Sequence, residues 1–235
     1  MKTMIKNKSQ ILKEGRYDSF TRLIVNDIIS SIKETEGDSG DFEFDLPYDI
    51  SGENSYKHES GLDINLDLII RRTNDLLSHG NTEVPYHINS YISEDDFLVV
   101  NIIIDNTYGN KFYKEIFYKL NEDVRHEVEH YLQNIFDDRQ KPNIPNTAEY
   151  QTTFLHHMDP SEVEALVHGF YRRAKLEKKP LDDVMLDDIK SDIQNGYLTP
   201  QEGDELMKTW LKYAIKKLPQ AQYSNNFRRN FIIQK

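Results

Sequence analysis

The 235-residue chain contains no cysteine. Disulfides, cysteine-type zinc sites and thiol nucleophiles are therefore excluded, and any metal must be held by histidine and carboxylates. Long apolar runs are missing too. No stretch approaches the roughly 18 uninterrupted apolar residues of a membrane-spanning helix. Residues 1–13 are basic but lack the continuous apolar core and small-residue cleavage site of a secretion signal. A soluble, cytoplasmic protein without a membrane partner is expected. Positive charge is also in deficit, with 29 Lys and Arg against 40 Asp and Glu and a net charge of −11. That balance argues for solubility and against nucleic acid as a partner of the whole surface. The deficit is uneven. After Glu205 no acidic residue follows, while Lys208, Lys212, Lys216, Lys217, Arg228, Arg229 and Lys235 do. Such a run reads first as a solvated helix face and basic tail, and second as a dock for an acidic partner.

Aromatic residues are plentiful, with 14 Tyr and 11 Phe, and apolar residues come in periodic blocks, so the chain is expected to fold. Its length suits one large domain or a domain with an appendage. Phe20, Ile24, Ile28 and Ile32 repeat at helical spacing and predict a helix over 17–34, closed by Gly37-Asp38-Ser39-Gly40. Alternation then predicts strands through Phe42, Phe44, Leu46 and Tyr48, and through Leu62, Ile64, Leu66, Leu68 and Ile70. Residues 51–61 and 74–82 read as a loop and a turn. A weaker strand over 84–92 carries Pro85, which places it at an edge or at a strand start. Residues 97–104 are the most apolar segment and read as a central strand buried on both faces around Asn101. The fold class expected is α+β.

A helix over about 117–136 follows the turn at 106–110, with Phe117, Leu120, Val124, Val128, Tyr131 and Ile135 as its inner stripe. Residues 137–157 contain Pro142 and Pro145 and read as a long irregular segment. Asp159-Pro160 opens a helix that runs to about Lys178, where Pro180 ends it. A shorter acidic helix covers 181–194. Thr199-Pro200-Gln201-Glu202 is a capping box opening a last helix over 200–218, and the residues after Pro219 read as a tail or arm. Neither an internal repeat nor a clear linker is present.

The stretch with chemistry in it is His126-Glu127-Val128-Glu129-His130. Given 8 His and 18 Glu, composition alone predicts an HExxH roughly 0.02 times in this chain. Two histidines four apart share a helix face, so both imidazoles can reach one tetrahedral Zn2+, while Glu127 points about 100° away from His126 and can act as general base. A zinc with an open position needs a third protein ligand. The metzincin continuation is excluded, because Gln133 and Phe136 stand where Gly and His are required. The candidates are Glu162, Glu164, His156, His157 and His168. Glu162 is favoured, because Ala165 three residues on lets its helix approach closely; the local alternative makes Glu162 the capping-box partner of Asp159. His156 and His157 read as a loop pair or an oxyanion contact, and His168 as a packing residue.

HExxH followed by Glu162-Val163-Glu164-Ala165 at the start of a later helix resembles the gluzincin metallopeptidases, in particular the small minigluzincin cores. The order helix, sheet, 125–131, then 160–165 also resembles HExxH peptidase-like proteins of tailed bacteriophages. The resemblance covers about residues 15–178. It implies a zincin-like metallopeptidase domain there, with a small twisted mixed or antiparallel sheet on a backing helix, and a helical appendage with a basic tail over 179–235. It implies metal ligands His126, His130 and Glu162, catalytic Glu127, and a peptide or protein substrate. A host cytoplasm or a virion would be its location. Glu129 and Asp123 depart from the stricter metallopeptidase pattern, which makes the motif a stronger pointer to bound zinc than to proteolysis. The alternative expectation is a phage virion or assembly protein that keeps the fold with little or no turnover, partnered by phage structural proteins.

Overall fold

The computed structural model describes residues 2–46, 64–73, 85–93, 97–107, 112–136 and 154–227. The expected loop at 51–61, the turn at 74–82, most of the segment at 137–157 and the last eight residues lie outside that set, as do Tyr48, Leu62 and Val84. The architecture is α+β with a four-stranded mixed sheet. Chain contacts divide it into two units, Met1–Val128 and Glu129–Lys235, so the division falls inside the motif helix.

The first unit opens with α1 (Lys2–Glu34), followed by β1 (Gly40–Leu46), β2 (Asn65–Thr73), β3 (Tyr86–Ile92) and β4 (Phe97–Asp105). Helix α1 starts well before the expected Tyr17. Phe20, Ile24, Ile28 and Ile32 form a buried stripe. Upstream, good helix formers such as Lys, Leu, Gln and Glu favour the longer helix.

In the sheet the order is β1-β2-β4-β3. Strand β4 is interior, parallel to β2 and antiparallel to β3. One face is a continuous apolar row, with Leu66 opposite Leu98, Leu68 opposite Val100 and Ile70 opposite Ile102. All six are buried. Arg72 prolongs this row and is 5% exposed. Its guanidinium is satisfied where α1 ends, donating to the Ile32 carbonyl and to Thr35 Oγ1 at 3.1 Å. Burial on both faces of β4 holds at Leu98, Val99 and Val100; beyond Asn101, Ile102, Ile104 and Asp105 are buried and Ile103 is half-buried. Strand β3 is an edge, as Pro85 suggested, and alternates half-buried with exposed positions.

Helix α2 (Tyr113–Phe136) carries the motif. Its inner stripe is Ile116, Leu120, Val124, Val128 and Leu132, an unbroken step of four, with Tyr131 beside it. Phe117, expected inside, is half-buried, and Ile116 takes the inward position. Arg125, 2% exposed, lies 5.8 Å from the Tyr17 ring and 3.9 Å from Asp18 of α1. A cation this deeply buried needs such partners.

The second unit is helical: α3 (Phe154–His157), α4 (Pro160–Glu177), α5 (Leu181–Gln194), α6 (Pro200–Lys217) and the short α7 (Asn225–Phe227). The end of the expected irregular segment is thus helical. Asp159 caps α4, accepting from Ser161 N at 2.8 Å, with Pro160 in the first position. The capping box of α6 forms as read, with Thr199 N donating to Glu202 Oε2 at 2.8 Å. A single core joins Val163, Val167 and Phe170 of α4 to Val184, Met185 and Ile189 of α5 and to Leu206, Trp210 and Ala214 of α6. Helices α5 and α6 touch closely at Gly203, where a Cβ would sit 2.7 Å from Ile189 Cγ2.

The residues after Pro219 are not a free tail up to Phe227. Ala221, Tyr223 and Phe227 are buried in the same core. Ser224 N donates to Asp182 Oδ1 at 2.8 Å, and Leu181 N to the Gln222 carbonyl at 2.8 Å. The segment thereby closes over the start of α5. Among the described residues no helix is long and apolar enough to cross a membrane.

If the packing of this segment is integral, Phe227→Ala will cost about 3 kcal/mol in urea unfolding, in line with buried Phe truncations. A loss below about 0.5 kcal/mol, the range of surface changes, would return the segment to the status of a loose arm.

Candidate metal centre

Because α2 is uninterrupted, His126 and His130 stand one turn apart along it, about 6 Å by helical rise. Both are half-buried, and Glu127 between them is 8% exposed. Glu127 Oε1 lies 3.9 Å from His126 Nε2. The placement follows from the stripe: with Val124 and Val128 inward, His126 and His130 fall at its border.

In the second unit, Glu162 occupies the first turn of α4 and is 8% exposed. Its Oε1 lies 3.1 Å from His130 Nε2 and its Oε2 lies 3.6 Å from His156 Nε2. The capping alternative for Glu162 loses its main partner, since Asp159 N donates to the His156 carbonyl at 2.9 Å. Gln133 bridges the two helices. Its Oε1 is 3.0 Å from His130 Nδ1, and its Nε2 donates to the Ser161 carbonyl at 3.0 Å.

His126, His130 and Glu162 are thus a group able to offer a metal ion one ligand atom each. The donor set suits zinc: two imidazoles and one carboxylate leave a fourth position open. The spacing suits it as well. Two ligand atoms at ~2.0–2.1 Å from one tetrahedral zinc are ~3.3 Å apart, close to the 3.1 Å between His130 Nε2 and Glu162 Oε1.

Comparison with family models, with curated proteins and with solved structures finds no match. The site is read from its own chemistry.

Of the remaining candidates His156 lies beside Glu162, and Glu164, His157 and His168 have other neighbours. Glu164 accepts from Tyr213 Oη at 2.6 Å, and His168 meets the Tyr213 ring edge-on at 6.3 Å. With Glu129 they form a second group whose ligand-type atoms lie within 4.8 Å of one another. His157 turns to Trp210, with ring centroids 6.3 Å apart, while its carbonyl accepts from Trp210 Nε1 at 3.3 Å. Burial, then the neighbouring His156, pushes the His157 pKa down to about 4, against a smaller upward pull from Glu162. Two residues escaped the sequence reading. Gln133 counted only as a departure from the metzincin pattern, although its spacing three beyond His130 puts it on the same helix face. Glu129 counted only as an unusual charge.

The His157 shift has a definite sign. The unfolded chain binds a proton at His157 near its ordinary 6.5, the folded chain only near 4. The resulting stability is whole above pH 6.5 and is lost as pH falls through that window. Urea midpoints between pH 7 and pH 4 should therefore fall more steeply for the wild type than for His157→Gln. Parallel curves would contradict the buried neutral imidazole.

Proposed function

We propose that the chain is a zinc-dependent peptidase with a zincin-like core, in which His126, His130 and Glu162 hold the metal and Glu127 handles the proton. The observation that carries this reading is the Glu162 carboxylate 3.1 Å from His130 Nε2, on a helix whose preceding turn holds His126. The gluzincin resemblance supports it from the sequence side, because it assigns the same carboxylate to the metal.

Bound there, zinc supplies Lewis acidity to a peptide carbonyl and to a water. Glu127 takes the proton of the attacking water and returns it to the departing amine, a role suited to a carboxylate that is near the metal but not a ligand. Its burial keeps the proton transfer out of bulk solvent. His156, beside Glu162, is placed to steady that carboxylate or a developing oxyanion. The substrate is a peptide or protein segment.

Metal analysis of protein purified under zinc-replete conditions should give near one zinc per chain, and His126→Ala should lose it. Glu127→Gln should keep the metal while turnover of a quenched-fluorescence peptide library falls roughly 10²–10⁴-fold, the usual contribution of general acid–base catalysis. Zinc-free wild type overturns the reading. Stoichiometric zinc with no cleavage of any peptide would favour the alternative of a structural protein on the same fold.

A further inference from the structure

Gln133 stands on α2 three residues past His130, half-buried, and touches both helices of the site. Its orientation can be deduced from its partners. The Ser161 carbonyl only accepts, so the amide nitrogen of Gln133 must face it, as it does at 3.0 Å. The amide oxygen is then the atom turned to His130 Nδ1, at 3.0 Å. An amide oxygen cannot donate, so Nδ1 must carry the hydrogen. In the neutral ring this leaves the lone pair on Nε2, the atom 3.1 Å from Glu162 Oε1. Two acceptors facing each other at that distance repel unless a proton or a metal ion lies between them. The same arrangement is what a metal needs: an unprotonated Nε2 aimed at it, with the other ring nitrogen tied down.

We infer that Gln133 is a positioning residue that locks His130 in the Nδ1–H tautomer with Nε2 turned to the metal, using the Ser161 carbonyl as its anchor. This rests on the zinc reading above. It adds a coupling between the two helices, because the backbone of the turn just before Glu162 dictates the ring state of His130. A charged or hydroxyl group is not required at position 133. An acceptor of fixed orientation is, and the amide is oriented by having one end of each kind.

Zinc affinity measured by competition with a chromophoric chelator tests it on the full chain, for wild type, Gln133→Met and Gln133→Glu. Loss of the acceptor in Gln133→Met should weaken zinc binding roughly 10–100-fold, as for other partners of metal-bound histidines. Gln133→Glu, which still accepts from Nδ1 but cannot donate to the Ser161 carbonyl, should recover part of that loss. A role in packing alone would instead lower the melting temperature of the zinc-free protein in both variants and leave their affinities alike. Equal affinity of Gln133→Met and wild type overturns the inference and leaves the zinc reading standing; so does a Gln133→Glu as weak as Gln133→Met. Wild type that binds no zinc overturns both. Should Gln133→Met fail to fold, long-range 1H–15N correlation on zinc-loaded wild type decides. Protonated Nδ1 and metal-bound Nε2 at His130 are expected, and the reverse assignment overturns the inference.

Discussion

The account depends on one short contact, a carboxylate oxygen of Glu162 set 3.1 Å from the Nε2 of His130. Both groups are largely withdrawn from water, and a carboxylate that is 8% exposed needs compensation. Gln133 holds the imidazole so that its lone pair faces that carboxylate. A proton or a metal ion resolves the conflict; the proposed function puts a metal there, with His126 one turn back and Glu127 buried beside it.

The rest of the second unit keeps Glu162 where it is. Asp159 and Pro160 start α4 at a defined residue, so Glu162 lies on its first turn. Val163, Val167 and Phe170 fasten an adjoining side of α4 into a core shared with α5 and α6. Trp210 ties that core to the turn before α4, its ring 5.0 Å from Phe170 and its indole N–H on the His157 carbonyl. The C-terminal segment closes the bundle through Asp182 and Ser224. In the first unit, α2 is held by its own apolar stripe and by Arg125 against Tyr17 and Asp18.

Features written in local chemistry were legible in the sequence. Alternation marked the strands, Pro160 and Pro200 marked helix starts, and Thr199 with Glu202 marked a capping box that forms. The motif helix was legible too, whereas Glu162 and Glu164, two residues apart on one helix, differ little in local pattern. What separates them is tertiary: one meets His130 and the other meets Tyr213. Features set by tertiary contact were not legible. Ala221, Tyr223 and Phe227 follow no period, so their burial left no pattern to read. Ile116 and Phe117 are adjacent apolar residues, and only packing decides which turns inward. Residues 2–16 extend α1 beyond the start that Tyr17 suggested. Gln133 is an ordinary polar residue until Ser161 is known to lie beside it.

X-ray absorption at the zinc edge, on wild-type protein loaded with one equivalent of zinc, addresses the central claim most directly. The account predicts two imidazole nitrogens at ~2.0–2.1 Å and carboxylate oxygen at ~2.0–2.2 Å. A spectrum of fully hydrated zinc, or a wild-type shell with fewer than two imidazoles, would contradict it.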